Sequence, residues 1–168
     1  MILFPNAKIN LGLRVVRKRE DGYHDIETVF YPIHGLRDAL EIVRGNSDNP
    51  IDFNTTGLPV QGSVHQNLCV KAYTLLQQDF PSIPSIQMHL HKTIPMGAGL
   101  GGGSADGAFT LRLLNQQFQL GLSQDQLIQY ALQLGSDCPF FILNQPCFAT
   151  GRGEIMKPLS LDLSAYQF

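Results

Sequence analysis

Tryptophan is absent from this chain of 168 residues, cysteine is rare, and charged residues are few. The three cysteines, Cys69, Cys138 and Cys147, are scattered, odd in number and never form a Cys-x-x-Cys pair. This usage argues against a disulfide framework and predicts buried, reduced thiols. Charged residues make up 15% of the chain and hydrophobic residues 43%, a balance that argues against intrinsic disorder and indicates a globular protein.

An excess of either charge is also missing. Lysine and arginine number 12, aspartate and glutamate 14, and the formal net charge is −2. This balance argues against nucleic acid or an anionic membrane as a partner. The chain has no apolar run long enough to cross a bilayer and no basic-then-apolar leader. We therefore expect a cytoplasmic protein, and the sequence leaves its oligomeric state open.

Alternation of apolar and polar residues predicts strands near the start of the chain. In KINLGLRVV, the apolar Ile9, Leu11, Leu13 and Val15 share one face, and Lys8 begins the polar face. This pattern is typical of a half-buried strand whose apolar side is covered. An Asp-Gly turn follows, and DIETVFYPI is predicted to return as the second strand of a hairpin.

Further along the chain, the spacing of apolar residues predicts helices. The segment NLCVKAYTLLQQDF is predicted as a helix capped by Asn67, and SQDQLIQYALQLG opens with a capping box from Ser123 to Gln126. The segment SIQMHLHKTI alternates and is predicted as a strand, whereas ADGAFTLRLLNQQF is predicted as a helix. Both CPFFIL and CFAT are predicted as buried strands. Strands come first and helices are then mixed with strands, which indicates an α+β fold.

Six glycines lie between Gly97 and Gly107, in the segment that joins the predicted strand SIQMHLHKTI to the next helix. Glycine loses more backbone entropy on folding than any other residue, so this concentration needs a reason. A helix N-terminus offers unpaired N–H groups and the positive end of a dipole, and glycines let those groups approach an anion. The segment therefore predicts a phosphate-binding loop.

Three familiar phosphate loops do not describe this segment. Gly97, Gly99 and Gly102 match G-x-G-x-x-G, but a helix start occupies the place about 20 residues later where a dinucleotide fold needs an acidic strand end. A Walker loop needs a lysine where Gly103 stands. A protein-kinase loop joins two strands, whereas this one opens a helix.

The segment PMGAGLGGGSADGA instead resembles the phosphate-binding signature of the GHMP kinases, a superfamily that includes homoserine, mevalonate and galactose kinases. The N-terminal block NAKINLGLRVVRKREDGYHDIETVF and the block GSDCPFFI resemble one branch of it. That branch phosphorylates a cytidine-diphosphate-linked polyol in the non-mevalonate isoprenoid pathway. The three blocks span residues 5–142, in the expected order. The signature positions are Pro95, Gly99, Leu100, Gly101, Gly102, Gly103 and Ser104.

The resemblance implies a fold like ribosomal protein S5 domain 2, with a mixed, mainly antiparallel sheet packed against helices. It implies an ATP-binding domain over residues 1–155, with residues 156–168 opening a second domain. Because members of the superfamily continue into that second domain, we expect this chain to be a piece of a longer enzyme. On its own it is then expected to bind nucleotide weakly and to turn over poorly.

The resemblance also implies the ligands and their residues. ATP would donate the phosphoryl group, Mg²⁺ would accompany it, and the acceptor would be a small-molecule polyol. Lys8 and Asp137 match the catalytic pair, and Ser104 is the expected metal contact. The acceptor would bind at Asn10, Tyr23, His24 and Phe30. ATP would bind at Pro95, Gly97, Gly99, Leu100, Gly101, Gly102, Gly103, Ser104 and Ala105, with Lys92, Asn67 and Leu68 on its adenine side.

Residue types alone leave plainer roles open for three of these positions. Lys8 would also suit a solvated strand lysine, and Asp137 a helix cap or an Asx turn. Asp106 stands where the superfamily commonly has asparagine. Because a carboxylate would repel nucleotide phosphates, we expect Asp106 to point away from them rather than to hold Mg²⁺.

Two other functions remain open. The first is another GHMP small-molecule kinase, of the homoserine or mevalonate type, against which the DGYH block argues. The second is a non-catalytic nucleotide-binding domain on the same fold, against which the presence of both Lys8 and Asp137 argues.

Overall fold

The computed structural model describes residues 1–46 and 49–166, so part of the loop RGNSDNP and the end of the 156–168 segment lie outside the described residues. Strands dominate the first third, and helices follow. A short 3₁₀ turn at Val64–Gln66 precedes the first helix. In chain order the elements are β1 (Ile2–Leu3), β2 (Asn6–Lys18), β3 (His24–Arg37), β4 (Ala39–Arg44), β5 (Ile51–Gly57), α1 (Leu68–Asp79), β6 (Ile86–Lys92), α2 (Gly102–Phe118), α3 (Gln124–Leu134), α4 (Cys138–Leu143), β7 (Cys147–Thr150) and β8 (Ile155–Pro158).

The strands form two four-stranded sheets, with the orders β1-β4-β6-β5 and β2-β3-β7-β8. Neighbouring strands are antiparallel, except that β5 runs parallel to β6. The predicted α+β fold, with mainly antiparallel sheets packed against helices, is therefore confirmed. The implied boundary at residue 155 falls at the start of β8, which pairs with β7.

The core lies where the helices pack on the sheets, and burial of its apolar side chains is the main stabilising contribution. Strand β6 alternates as predicted, with every second side chain buried from Ile86 to Lys92. No helix in the two described ranges is long and apolar enough to span a membrane. The largest fully buried side chains include Tyr73, Phe30, Phe140, Phe141, Leu40 and Leu111.

Both helix starts predicted from capping residues are confirmed. The Asn67 side chain accepts a hydrogen bond from the Cys69 amide at 2.9 Å, and α1 begins at the next residue. Ser123 and Gln126 form the reciprocal capping box of α3. The three cysteines are free and buried, as expected, and burial raises the pKa of the Cys138 thiol to about 11.

The prediction of a strand at CPFFIL was wrong, because these residues form helix α4. Residues Cys138 to Ile142 are all buried, so the segment has no polar face whose spacing could separate a strand from a helix. Pro139 lies in the first helical turn, where the missing N–H has no intrahelical partner to lose.

The expected orientation of the first strand, with its apolar face covered and its polar face exposed, was also wrong. Leu13 and Val15 are 55% and 56% exposed, whereas Lys8 is buried. Gly12 has a φ of 71° and interrupts the pairing register between Leu11 and Leu13, which is the signature of a β-bulge. Beyond the bulge, β2 and β3 continue as a two-stranded ribbon whose β2 residues are exposed.

Candidate active site

The glycine-rich segment forms a loop that leads from β6 into α2. Gly97, Gly99 and Gly101 have φ values of 75°, 76° and 73°, a left-handed conformation that glycine adopts without strain. A Cβ atom added at Gly97, Gly99 or Gly103 would meet no atom within 4 Å, so the backbone borders open space. Helix α2 has 17 residues and begins at Gly102, so its unpaired N–H groups and dipole end lie at this loop.

The loop is fixed against strand β2. The Lys8 amide donates a hydrogen bond to the Leu100 carbonyl at 2.9 Å. A Cβ atom at Gly101 would lie 2.8 Å from Phe141 Cζ and 3.1 Å from Lys8 Cγ. A glycine at position 101 is therefore needed for two reasons: its positive φ, and the close packing of the loop backbone against Phe141 and Lys8.

Replacing Gly101 with alanine is expected to lower the free energy of unfolding by about 1–3 kcal/mol, because the new methyl group overpacks Phe141 and Lys8. Urea unfolding measures this change. Gly97→Ala is the matched control, since Gly97 has the same backbone conformation and no close neighbour. Equal losses in the two variants would show that backbone strain, and not packing, accounts for the effect.

Lys8 and Asp137 lie together in this structure. Lys8 Nζ is 3.4 Å from Asp137 Oδ2, and the two side chains are 6% and 35% exposed. Asp137 occupies the N-cap position of α4, but its side chain makes no capping hydrogen bond. The carboxylate is therefore not used as a helix cap, and Lys8 is not a solvated strand lysine.

Asn10 and Phe30, two of the residues predicted to bind the acceptor, contact the Lys8 ammonium. Lys8 Nζ donates to Asn10 Oδ1 at 2.6 Å and lies 4.4 Å from the centre of the Phe30 ring. Asn10 in turn donates to the Thr28 hydroxyl, which donates to the Gly12 carbonyl. This chain of hydrogen bonds orients the ammonium toward Asp137 and the glycine loop.

Lys92 belongs to a buried charge cluster that it forms with Asp38 and Asp106. Its Nζ donates to Asp38 Oδ2 at 2.5 Å and to Asp106 Oδ2 at 2.8 Å. Burial opposes the ammonium, but the two carboxylates outweigh it and raise the pKa of Lys92. Burial together with the second carboxylate raises the pKa of Asp106 to about 8, against the opposing effect of Lys92. The Asp106 carboxyl is thus engaged by Lys92.

The residues that were predicted to lie on the adenine side of ATP line one cavity of about 150 Å³ beside the start of α2. Leu68 and Leu90 contribute apolar walls. Asn67, Lys92 and Asp106 contribute polar groups. Gly103, from the first turn of α2, lies at its edge. The cavity thus combines apolar walls with a few convergent polar groups, as ligand pockets commonly do.

Tyr23 and His24 lie away from Lys8 along the hairpin. His24 is exposed and begins β3, six residues before Phe30, which corresponds to roughly 20 Å along an extended strand. Tyr23 is 55% exposed, and the Arg152 guanidinium lies 5.0 Å from its ring centre. Arg152 therefore connects Tyr23 to the turn between β7 and β8.

Several residues of the site were missed by the sequence analysis. Asp38 follows β3 directly and accepts bonds from the Thr93 and Ile94 amides at 2.6 and 2.9 Å, so it fixes the chain just before the glycine loop. Its partner Lys92 is 54 residues away, and no local pattern could have joined them. Thr28 and Arg152 were missed for the same reason.

Comparison with known proteins identifies the class to which this fold and site belong. The profile of the GHMP kinases N terminal domain matches residues 67–151. The chain therefore belongs to the GHMP kinases.

Individual relatives are more specific. A 4-diphosphocytidyl-2-C-methyl-D-erythritol kinase of Bacteroides thetaiotaomicron is 55% identical over 168 residues, which is 99% of this chain and 61% of that protein. The crystal structure of a 4-(cytidine 5'-diphospho)-2C-methyl-D-erythritol kinase superposes with a TM-score of 0.80 at 36% identity, over 96% of this chain and 56% of the other. A mevalonate kinase of Methanococcus jannaschii (TM-score 0.71, 14% identity, 95% and 56% coverage) shares the fold. The chain thus spans about three-fifths of the relatives that it matches.

Proposed function

We propose that this chain carries the ATP site and part of the acceptor site of a kinase that phosphorylates a hydroxyl of 4-diphosphocytidyl-2-C-methyl-D-erythritol, in the non-mevalonate isoprenoid pathway. The observation that carries the proposal is the Lys8–Asp137 pair, whose charged atoms lie 3.4 Å apart. The Lys8 amide is also hydrogen-bonded to the glycine loop. The names of the relatives at 55% identity support the choice of acceptor. As in other biosynthetic small-molecule kinases, the proposed location is the cytoplasm.

Phosphoryl transfer depends mainly on positioning and on stabilising charge on the phosphoryl oxygens. In the proposed mechanism the loop amides and the start of α2 hold the ATP phosphates. Lys8, between the loop and Asp137, stabilises the negative charge that develops on the transferred group. Asp137 orients the acceptor hydroxyl and accepts its proton.

The proposed ATP pose places adenine in the cavity beside Asn67, Leu68 and Lys92, and the triphosphate along the glycine loop. The fit rests on the open space over Gly97 and Gly99 and on the cavity at the start of α2.

Mg²⁺ is proposed to bind mainly through phosphate oxygens, as it commonly does in kinases. Within residues 1–46 and 49–166, no group of three or more histidine, cysteine or acidic side chains is arranged to hold a metal ion. Ser104, in the first turn of α2, is the side chain that would reach it. When bound, the metal neutralises charge on the phosphates.

Thermal-shift measurements with four ligands test the proposal. A cytidine nucleotide and a non-hydrolysable ATP analogue are expected to raise the melting temperature, because a ligand that binds only the folded state stabilises it. Homoserine and mevalonate are expected to have no effect. Stabilisation by one of these acceptors instead would favour another GHMP kinase. Stabilisation by the ATP analogue alone would favour a nucleotide-binding domain without this acceptor.

A further inference from the structure

The turn between β7 and β8 forms part of the wall beside the Lys8–Asp137 pair. A Cβ atom at Gly153 would lie 3.2 Å from Phe30 Cζ and 3.7 Å from Asp137 Oδ1. The bare backbone of Gly153 thus lies against both side chains. Arg152, which the proposed mechanism does not use, is the residue directly before it.

The turn is held in one conformation. The Ile26 amide donates to the Gly151 carbonyl at 2.7 Å, and the Gly153 amide donates to the Thr150 carbonyl at 3.1 Å. The Glu154 carboxylate folds back and accepts a hydrogen bond from the Arg152 amide at 2.5 Å. Because hydrogen bonds fix the backbone on both sides of Arg152, the position of its Cα and the direction of its side chain are defined.

The Arg152 guanidinium forms no ion pair within 4.0 Å in the described part of the chain, although its charge interacts with the Asp21 carboxylate at longer range. The side chain is half-buried and its guanidinium lies over the Tyr23 ring. The ion pairs of this region join other groups: Asp21 pairs with Arg19, Asp25 with Arg17 and Arg19, Arg14 with Glu27, and Lys8 with Asp137. Arginine stays charged at every relevant pH and binds phosphate groups through paired donors.

The order of groups along this wall matches the order of groups in the proposed acceptor. Tyr23, one of the residues predicted to bind the acceptor and an aromatic side chain on which a cytosine ring can stack, lies at one end. Asp137, which is proposed to orient the hydroxyl, lies at the other. Arg152 contacts Tyr23, and the adjacent Gly153 lies beside Asp137. In the acceptor, the diphosphate is the group that joins the cytidine to the polyol.

We propose that Arg152 binds the diphosphate of the acceptor and makes the site specific for a charged, nucleotide-linked polyol over an uncharged one. The inference rests on the proposed function and adds a binding residue to it. Two other cations lie along this wall, and both are already engaged: Lys8 by Asp137 and Asn10, and Arg19, whose amide bonds to the Tyr23 carbonyl, by Asp21 and Asp25. Arg152 is therefore the cation available for the acceptor phosphates.

The test compares the dissociation constants of cytidine and CDP, measured by calorimetry. For the native protein, we expect CDP to bind more tightly than cytidine, by an amount that decreases as salt is added. Arg152→Gln is expected to weaken CDP binding by roughly 10- to 100-fold, the range of a charge-assisted hydrogen bond, and to leave cytidine binding within about twofold. Arg152→Lys should restore part of the difference, because it keeps the charge.

Arg14→Gln is the matched control, since Arg14 is an exposed arginine of the same hairpin that pairs with Glu27. It should leave both dissociation constants unchanged. Equal weakening of cytidine and CDP by Arg152→Gln would overturn the inference and show that Arg152 only supports Tyr23. Tight CDP binding that the substitution does not change would also overturn it. A native protein that binds the ATP analogue but neither cytidine nor CDP would instead overturn the proposed acceptor.

Discussion

Replacing Asp137 with asparagine is expected to lower the turnover of phosphoryl transfer by roughly 10²–10⁴-fold, the usual contribution of a positioned proton acceptor. The asparagine amide keeps the size of the side chain but cannot accept the proton. Because the Asp137 carboxylate makes no capping hydrogen bond in α4, the substitution leaves the helix start unchanged, and the structural contact that it weakens is the ion pair with Lys8. Initial rates with saturating ATP and acceptor measure the effect.

Binding measurements separate this role of Asp137 from a general loss of structure. The affinity for an ATP analogue should remain within a fewfold of native, since Asp137 is not placed on the adenine or triphosphate side. Asp125→Asn, in the first turn of α3, is the control and should keep full turnover. If Asp137→Asn turned over at the native rate, Asp137 would have no part in proton transfer.

Replacing Lys92 with methionine is expected to lower the free energy of unfolding by about 3–5 kcal/mol, the cost of breaking a buried ion pair from one side. Lys92 is 2% exposed and Asp38 1% exposed, so water cannot replace the lost ammonium. Urea unfolding at neutral pH measures the change. Lys157→Met, at an exposed lysine in β8, should change stability by less than about 0.5 kcal/mol.

The companion variant Asp106→Asn is expected to have an effect of opposite sign that depends on pH. The pKa of Asp106 is raised from 3.8 to about 8, so the folded protein keeps a proton that the unfolded chain releases from about pH 4 upward. This carboxyl therefore lowers the stability of the native protein as pH rises from about 4 to about 8. Asparagine removes that dependence, and its advantage over the native residue should grow across this interval. A constant difference between pH 4 and pH 8 would contradict the raised pKa.

Local sequence patterns were sufficient to predict those helices and strands whose capping residues or alternation lie within the element itself. Asn67 and Ser123 indicated the starts of α1 and α3, because the side chain of an N-cap residue accepts a hydrogen bond from an amide two or three residues further on. The alternation of β6 was visible from Ile86 to Leu90, and its continuation places Lys92 on the buried face. The glycine-rich segment predicted an anion-binding loop because few other functions require so many glycines before a helix.

Features that depend on distant partners could not be predicted in this way. The exposure of Leu13 follows from the bulge at Gly12 and from β2 extending past the helices, and neither can be deduced from alternation. Asp38 acquires its role only when β3 and β6 are brought together. The proximity of Lys8 and Asp137, 129 positions apart in the sequence, could be inferred from the family resemblance but not from spacing.

The hydrogen bond from the Lys8 amide to the Leu100 carbonyl has a practical consequence for engineering. It joins two main-chain atoms, so it persists under every side-chain exchange at either position except proline at residue 8. Variants with other side chains around the site should therefore keep the distance between the glycine loop and the Lys8 backbone. Substitutions intended to change the acceptor can therefore be made in the exposed part of the hairpin beyond Gly12 without disturbing this bond.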